Sequence, residues 1–325
     1  MYNSNYITLV ADNNEEFCLY ENDNFRIGGG AMGTVYKGWS VKNPEYKVAI
    51  KKIHCIHANN HNIRQRSKHE SSLRINHPNI IKMLGYAEPT PNRGSIYIIS
   101  ELMRGVTVNE YISSIAPEIR LQRLSEIMCS ILDGLDMLHN QPLPIFHRDI
   151  KPSNIMVEYS GNARLMDLGI ATSDGVSHGT LNGFAGTAAF TSPEQINSSR
   201  FGGVSGRSDI YSLGVTFYTL LTGVNPFAED VTSEIEILNR QISLTLPNHV
   251  NIPSALIKVL RKATAKVPQD RYQTAKEFKL AIAESMKPRR FSSGLFSNDT
   301  DILIIAISLA IAVIMTCLVI FTALS

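Results

Sequence analysis

The sequence has 325 residues, of which 44% are hydrophobic and 18% charged, so it can bury one large core or two modest ones and does not have the composition of a disordered chain. Its 31 Lys and Arg against 29 Asp and Glu give a net charge of +2, too small for a surface that coats nucleic acid. Cys18, Cys55, Cys129 and Cys317 form no CxxC pair, so neither a zinc site nor a disulfide framework is predicted.

The N-terminal residues 1–19 are polar, and we predict a loosely held lead-in there. The opening MYNSNYITLV lacks the basic stretch and apolar run of a secretory signal, and Tyr2 stands where myristoylation needs glycine. We therefore expect the protein to begin in the cytoplasm.

Residues 20–102 have the composition of short β-strands separated by turns. The segments FRIGGG, TVYKGWS, YKVAIKKI, IIKMLGYA and IYIISEL carry β-branched and aromatic residues around glycine-rich turns, which predicts five antiparallel strands. The polar stretch HNIRQRSKHESSLRI is helix-like and lies between the third and fourth strands. Five strands and one helix make the predicted small lobe.

Residues 103–286 have helical patterns instead. Ile127, Ile131, Leu135 and Leu138 form one apolar stripe at helical spacing, which indicates core packing. Residues 209–221 are apolar on nearly every side and are followed by Gly223, which predicts a helix buried in the middle of this part of the chain.

A glycine motif, GGGAMG, places Gly28, Gly30 and Gly33 in a GxGxxG pattern that can fold closely over phosphates. On its own, this motif is weak evidence for a phosphate-binding site. A dinucleotide-binding motif should continue into a helix, but TVYKGWS is predicted to be a strand, which disfavours that alternative. Ala49 and Lys51 are two apart on the next strand, so both should face the glycine loop, with Lys51 able to reach the α and β phosphates.

The run HRDIKPSN at residues 147–154, followed by DLG at Asp167, contains the groups that phosphoryl transfer needs. Asp149 can accept a hydroxyl proton, Asn154 and Asp167 can hold Mg²⁺, and Lys151 can neutralise charge on the moving phosphate. The combined spacing is highly specific.

The order of these fragments resembles the eukaryotic-type serine/threonine protein kinase family over roughly residues 20–285. The resemblance implies an α+β bilobal kinase fold, with a small five-stranded antiparallel sheet lobe carrying one helix and a larger, mainly helical lobe. It implies transfer of the ATP γ-phosphoryl group to Ser or Thr hydroxyls of protein substrates with Mg²⁺ or Mn²⁺, the activity of a non-specific serine/threonine protein kinase. KPSN at residues 151–154 resembles the serine/threonine branch.

The resemblance also assigns roles to individual residues. Glu70 would hold Lys51 in place, Ser100 would be the small gatekeeper, and the backbones of Glu101 and Met103 would hydrogen-bond adenine. The implied catalytic residues are Asp149, Lys151, Asn154, Lys51 and Glu70. The implied nucleotide-binding residues are Ile27, Gly28, Gly29, Gly30, Ala31, Met32, Gly33, Val35, Ala49, Lys51, Glu101, Met103 and Met156.

Two departures from the family pattern are DLG in place of DFG and SPE, at residues 192–194, in place of APE. Neither removes a charged group. By resemblance, Glu194 should form a buried pair with Arg271, and Asp209 should brace the catalytic-loop backbone.

Between Asp167 and Glu194 the chain is rich in hydroxyls, and an arginine such as Arg148 commonly answers a phosphate on this loop in the family. We therefore expect activation by autophosphorylation in trans, through a transient homodimer. The hydroxyl residues are Thr172, Ser173, Ser177, Thr180, Thr187 and Thr191. Thr187 is expected to contact Lys151 and Asp149 rather than to be modified.

Two other functions use the same fold. A pseudokinase scaffold would bind nucleotide and partners without catalysis, but such proteins usually lack the equivalent of Lys51, Asp149 or Asp167. A kinase of small molecules such as antibiotics would lack the long SPE-terminated segment that shapes a peptide-binding surface.

The C-terminal part differs from the rest. Residues 302–324 carry no charge and as a helix would span about 35 Å, enough to cross a bilayer. Residues 287–301 are predicted to be a juxtamembrane linker, and Lys287, Arg289 and Arg290 place the large N-terminal domain in the cytoplasm. We expect a single-pass, tail-anchored membrane protein.

Overall fold

The structure is a computed structural model. It describes residues 6–30, 33–54, 61, 64–65, 67–68, 75–89, 94–168 and 188–287. The described residues up to Met286 belong to one compact unit, which contains a sheet-based small lobe and a helical large lobe.

The small lobe is a seven-stranded antiparallel sheet in the order β1-β2-β4-β5-β7-β6, with β3 paired to β4. Its strands are β1 (Ile7–Val10), β2 (Glu16–Leu19), β3 (Arg26–Gly30), β4 (Gly33–Ser40), β5 (Lys47–Ile53), β6 (Met83–Ala87) and β7 (Ile96–Glu101). All five predicted strands are present, but the predicted count was wrong because two more strands precede them.

The two additional strands form an N-terminal hairpin, so the prediction of a loose lead-in over residues 1–19 was wrong for Ile7–Leu19. Leu9, Phe17 and Leu19 are at most 2% exposed and pack on Val48 and other apolar residues of the sheet. A strand of four residues is too short to show a clear alternation of apolar and polar side chains, so it is hard to recognise within a polar stretch of sequence. Their stability comes from this burial.

The hairpin also joins the two edges of the sheet. On one side, β2 pairs with β4. On the other side, the Asp12 amide in the hairpin turn donates to the Tyr86 carbonyl of β6 at 2.8 Å. The Asp12 carboxylate accepts from the Tyr86 amide at 3.0 Å, and Asn13 Nδ2 donates to the Leu84 carbonyl at 3.2 Å. The hairpin therefore covers one face of the sheet and closes it.

The predicted small-lobe helix falls partly on described residues. Residues 61, 64–65 and 67–68 have helical backbone, and Arg64 pairs with Glu88 beside β6. Glu70 lies outside the described residues.

The large lobe is mainly helical, as predicted. Its described helices are α1 (Val108–Ser114), α2 (Pro117–His139), α3 (Pro193–Ile196), α4 (Ser198–Phe201), α5 (Gly206–Thr222), α6 (Glu234–Ser243), α7 (Ser254–Ala263) and α8 (Ala275–Ser285). A small antiparallel sheet, not predicted from the sequence, lies beside them in the order β10-β9-β8. Its strands are β8 (Gly105–Thr107), β9 (Ile155–Glu158) and β10 (Ala163–Leu165).

Two helices form the centre of the large lobe. The predicted stripe of α2 is confirmed, since Ile127, Ile131, Leu135 and Leu138 are at most 2% exposed. The predicted buried helix is α5, which ends at Gly223 in the left-handed region at φ 81°. A residue with a Cβ would be strained there.

None of the helices in residues 6–287, so far as these are described, is both long and apolar enough to span a bilayer. The predicted span at residues 302–324 lies outside the described part of the chain.

Candidate active site

The predicted catalytic loop, residues 147–154, is held in place by Asp209 of α5. Asp209 is fully buried, and its two oxygens accept the backbone amides of His147 at 2.9 Å and Arg148 at 2.7 Å. His139 contributes a third contact to the carboxylate at 2.8 Å. The predicted bracing role of Asp209 is thereby confirmed, and Arg148 is held at φ 65°, which non-glycine residues rarely adopt.

The surroundings of Asp209 favour the ionised form of its carboxylate. Burial alone would raise the pKa of Asp209, but the hydrogen bond and charge of His139, together with His147 and the Arg148 amide, hold that pKa below its ordinary value. An ionised carboxylate can accept all of these contacts at once.

Three polar groups of the predicted catalytic set converge on the loop. Asn154 Nδ2 donates to both the backbone carbonyl and the carboxylate of Asp149, at 2.8 and 3.0 Å. Lys151 Nζ lies 2.9 Å from Asp149 Oδ2. Asn154 is only 6% exposed, whereas the side chain of Asp149 is 22% exposed and can meet an incoming hydroxyl.

Asp167 is tied to the same loop through its neighbour Met166. The Met166 amide donates to the Asn154 carbonyl at 2.8 Å, and the Met166 carbonyl contacts the imidazole of His147 at 2.7 Å. Asp167 itself has φ 52°, a second unusual backbone conformation in the site. The loop carrying the predicted base and the loop carrying the predicted metal ligand are therefore neighbours.

Lys51 of β5 reaches from the small lobe to Asp167, with 3.0 Å between Nζ and Oδ1. Burial alone would raise the pKa of Asp167, but the Lys51 ammonium, helped by His147 and Lys151, lowers it below its ordinary value. The partner that the sequence predicted for Lys51, Glu70, lies outside the described residues.

The cleft between the lobes contains a narrow cavity of about 70 Å³. It is lined by Val35, Ala49, Lys51, Ile81, Met83, Ile98, Ser100, Met166, Asp167 and Leu168. Sites for small molecules usually measure about 300–1,000 Å³, so this enclosed part can take only a portion of a nucleotide. It is apolar with one charged pair at one end.

Several other predicted nucleotide-binding residues do not line this cavity. Ile27, Gly28, Gly29 and Gly30 lie on β3, and the side chain of Ile27 is 48% exposed. Met156 lies on β9 and is not among the lining residues. Ala31 and Met32 lie outside the described residues.

Glu101 and Met103 belong to the segment that joins the lobes, and they line a second, open cavity of about 410 Å³. Arg164 of β10 pairs there with Glu101 and, at 3.0 Å, with Glu158 of β9. Through these ion pairs, the segment that joins the lobes is held against the large lobe.

Gly33 has a structural requirement that its motif did not reveal. A Cβ at this position would lie 2.3 Å from the carbonyl oxygen of Lys52 on β5, closer than any real contact. At Gly30, by contrast, a Cβ would meet no atom within 4 Å. Among these glycines, Gly33 is therefore required by the packing of β4 on β5.

Ser100, the predicted gatekeeper, lines the cavity, but sequence reasoning missed other lining residues, among them Ile98 and Met83. Ile98 and Ser100 on β7 are paired with Lys51 and Ala49 on β5, and Met83 on β6 is paired with Ser100. Strand alternation from Lys51 could have identified Ile98 once the pairing of β5 with β7 was known. That pairing joins distant segments and no short motif encodes it.

The predicted pair of Glu194 and Arg271 is confirmed. The side chains are fully buried and form two contacts, at 2.7 and 2.8 Å, and Ser208 Oγ donates to Glu194 at 2.6 Å. Arg271 uses its remaining donors on the backbone carbonyls of Ala265, Arg207 and Lys266.

Hard oxygen donors suit Mg²⁺ and Mn²⁺, and the site offers such donors. Asn154 donates through Nδ2 to Asp149, which makes its oxygen the atom that faces a cation, and Asp167 supplies a carboxylate. The part of the chain that the structure describes has no cluster of three His, Cys, Asp or Glu residues suited to a metal. The predicted loop hydroxyls from Thr172 to Thr187 lie outside it.

Comparison with known proteins agrees with this geometry. A sequence model described as the protein kinase domain matches residues 21–281. Serine/threonine-protein kinase PrkC of Bacillus subtilis is 32% identical over 284 residues, which cover 85% of this chain and 42% of PrkC. The probable serine/threonine-protein kinase PknB of Lactococcus lactis is 32% identical over 85% of this chain and 44% of its own length.

Serine/threonine-protein kinase PknB of Mycolicibacterium smegmatis is 34% identical over 223 residues, or 67% of this chain and 35% of PknB. The chain thus spans less than half the length of these relatives. The predicted resemblance is confirmed, and this chain belongs to the protein kinase family.

Proposed function

We propose that this chain is an active serine/threonine protein kinase that transfers the ATP γ-phosphoryl group to hydroxyls of protein substrates. The observation that carries the proposal is the convergence of Asp149, Asn154 and Lys151 beside Asp167, with Lys51 reaching Asp167 from the opposite lobe. A scaffold without catalysis would not need this complete set.

In the proposed reaction, Asp149 orients the acceptor hydroxyl and takes its proton. The acceptor oxygen forms a bond to the γ-phosphorus while the bond from that phosphorus to the β,γ-bridging oxygen breaks, and ADP leaves. Lys151, 2.9 Å from Asp149, neutralises charge on the transferred group. Lys51 binds the α and β phosphates.

Asn154 and Asp167 would hold Mg²⁺, or Mn²⁺ in its place. The metal supplies neutralisation of the negative charge on the phosphates. The lowered pKa of Asp167 supports this assignment because a ligand carboxyl must be ionised at neutral pH.

Serine and threonine as acceptors are supported by KPSN at residues 151–154 and by the printed names of the relatives, which are serine/threonine-protein kinases. We further propose that a loop between Asp167 and Glu194 is autophosphorylated in trans by a transient dimer. Arg148, next to the base, supplies the positive charge that would attract such a phosphate.

We also propose that residues 302–324 form a transmembrane helix, with the kinase domain on the cytoplasmic side. The absence of charge over this stretch and the basic residues before it support the proposal. Expressed in bacteria, the full chain should stay with membranes after carbonate extraction, and Ile311→Arg with Ile314→Arg should release it. Complete extraction of the unaltered chain would contradict the proposal.

Radiolabelled ATP tests the catalytic proposal. The full chain should label dephosphorylated casein, and Asp149→Asn and Lys51→Met should each reduce the labelling by about a hundredfold or more. Equal labelling by all three proteins would reject the catalytic assignment.

A further inference from the structure

Two side-chain amides bind successive backbone carbonyls in the segment before α3. Gln241 Nε2, from α6, donates to the Ala188 carbonyl at 3.3 Å, and Asn225 Nδ2 donates to the Ala189 carbonyl at 2.9 Å. Ala188 and Ala189 are 5% and 3% exposed and pack against Ile237 of α6. Backbone carbonyls buried at this depth need a donor, and the Ala188 carbonyl has a second one in the Thr191 amide at 3.2 Å.

Each amide is oriented by a second contact. The Asn225 oxygen accepts the Phe227 amide at 2.9 Å, which turns the nitrogen towards Ala189. The Gln241 oxygen accepts the Tyr211 hydroxyl at 2.5 Å, and that hydroxyl in turn accepts from Lys266 Nζ at 3.0 Å. Gln241 is fully buried, so it has no solvent alternative.

A third amide connects this segment to the catalytic loop. Gln195 of α3 accepts the Ser192 hydroxyl at 2.9 Å and donates to the Arg148 carbonyl at 2.8 Å. Arg148 directly precedes Asp149, the proposed base. Gln195 thereby ties residues 188–195, called the acceptor wall below, to the loop that carries the group proposed to meet the acceptor hydroxyl.

We infer that Asn225 and Gln241 act as an amide clamp, a pair of positioning residues that fix the acceptor wall for the acceptor polypeptide. The inference rests on the proposed function and specifies which residues of the large lobe set acceptor binding. Neither residue contacts the cavity of the cleft, so the clamp should leave nucleotide binding unaffected.

Asn225→Asp is the sharpest variant because it keeps the size and the oxygen that accepts from Phe227, but its carboxylate cannot donate to Ala189. In the full chain, the KM for dephosphorylated casein should rise about fivefold or more, while the KM for ATP should change less than about twofold. Gln241→Met, which removes the side-chain donor to Ala188 and leaves the Thr191 amide as donor, should shift the casein KM in the same direction by a smaller factor.

Asn162→Asp is the matched control. Asn162, in the turn between β9 and β10, has the same pattern: it donates to the Pro78 carbonyl at 3.0 Å and accepts from Asn79 at 3.3 Å. Its substitution should leave the casein KM unchanged. A casein KM for Asn225→Asp equal to that of Asn162→Asp would overturn the clamp.

Amide hydrogen exchange separates this inference from the proposed function. Asn225→Asp and Gln241→Met should speed exchange in residues 188–195, and the control should not. If the unaltered chain labels no acceptor, the proposed function fails and the clamp loses its role in acceptor binding. If the chain is active but exchange and casein KM stay as in the control, only the clamp is overturned.

Discussion

The two lobes hold their parts of the site by different interactions. In the large lobe, buried charged groups fix the backbone: Asp209 binds the catalytic loop, and the pair of Glu194 and Arg271 binds the segment after it. In the small lobe, Lys51 is positioned by strand register and by an apolar core on the closed sheet. The residues proposed for proton transfer thus lie on backbone held by buried charged groups, and the lysine proposed to bind the nucleotide lies on a strand held by its register and by apolar packing.

The largest effect expected on stability comes from breaking the buried pair. Arg271→Met would leave Glu194 buried and unpaired, and should lower the free energy of unfolding by about 3–5 kcal/mol. Arg240→Met, which breaks an exposed arginine–glutamate pair on α6, should cost at most about 1 kcal/mol. Denaturant unfolding measures both, and equal losses would contradict the contrast between buried and exposed pairs.

The hairpin tests the apolar half of the comparison. Leu9→Ala removes a fully buried side chain and should lower the free energy of unfolding by about 2–5 kcal/mol. Its neighbour Val10 is 57% exposed, so Val10→Ala should change stability by about 0.5 kcal/mol or less. If residues 7–19 were a loose lead-in after all, the two variants would unfold alike.

The glycine motif contains one glycine that strand packing requires and one that it does not. Gly33→Ala would force a Cβ against the Lys52 carbonyl and should cost about 1–3 kcal/mol, measured as a loss of unfolding free energy. Gly30→Ala meets open space and serves as the control. A Gly33→Ala protein as stable as the control would show that β4 does not need the close approach to β5.

A pH-dependent effect is expected from Lys266 in the large lobe. Burial, with the nearby Arg271, lowers the pKa of Lys266 to about 7 from an ordinary value of 10.5. Between these values the unfolded chain binds a proton that the folded chain does not, so this group makes stability rise as the pH increases from about 7 to 10.5. Lys266→Met should flatten that rise, by at most about 1.4 kcal/mol per pH unit. Identical pH slopes in denaturant titrations of the two proteins would contradict this.

Much of the large-lobe site was predictable because its chemistry restricts residue type and spacing. Asp149, Asn154 and Asp167 stand in short runs, and Asp209, Glu194 and Arg271 follow from the same resemblance. The hairpin and the lining residues Ile98 and Met83 were not predictable in this way. Their placement depends on pairing between distant strands, which short apolar runs do not encode.

The central proposal is that Asp149 takes the proton of the acceptor hydroxyl while the rest of the site holds the phosphoryl group that is transferred. The most direct test measures ATP binding with Mg²⁺ and single-turnover transfer to casein on the full chain and on Asp149→Asn. We predict nearly unchanged ATP affinity in the variant and transfer slower by about 10²- to 10⁴-fold. Transfer by Asp149→Asn at the rate of the unaltered chain would contradict the account.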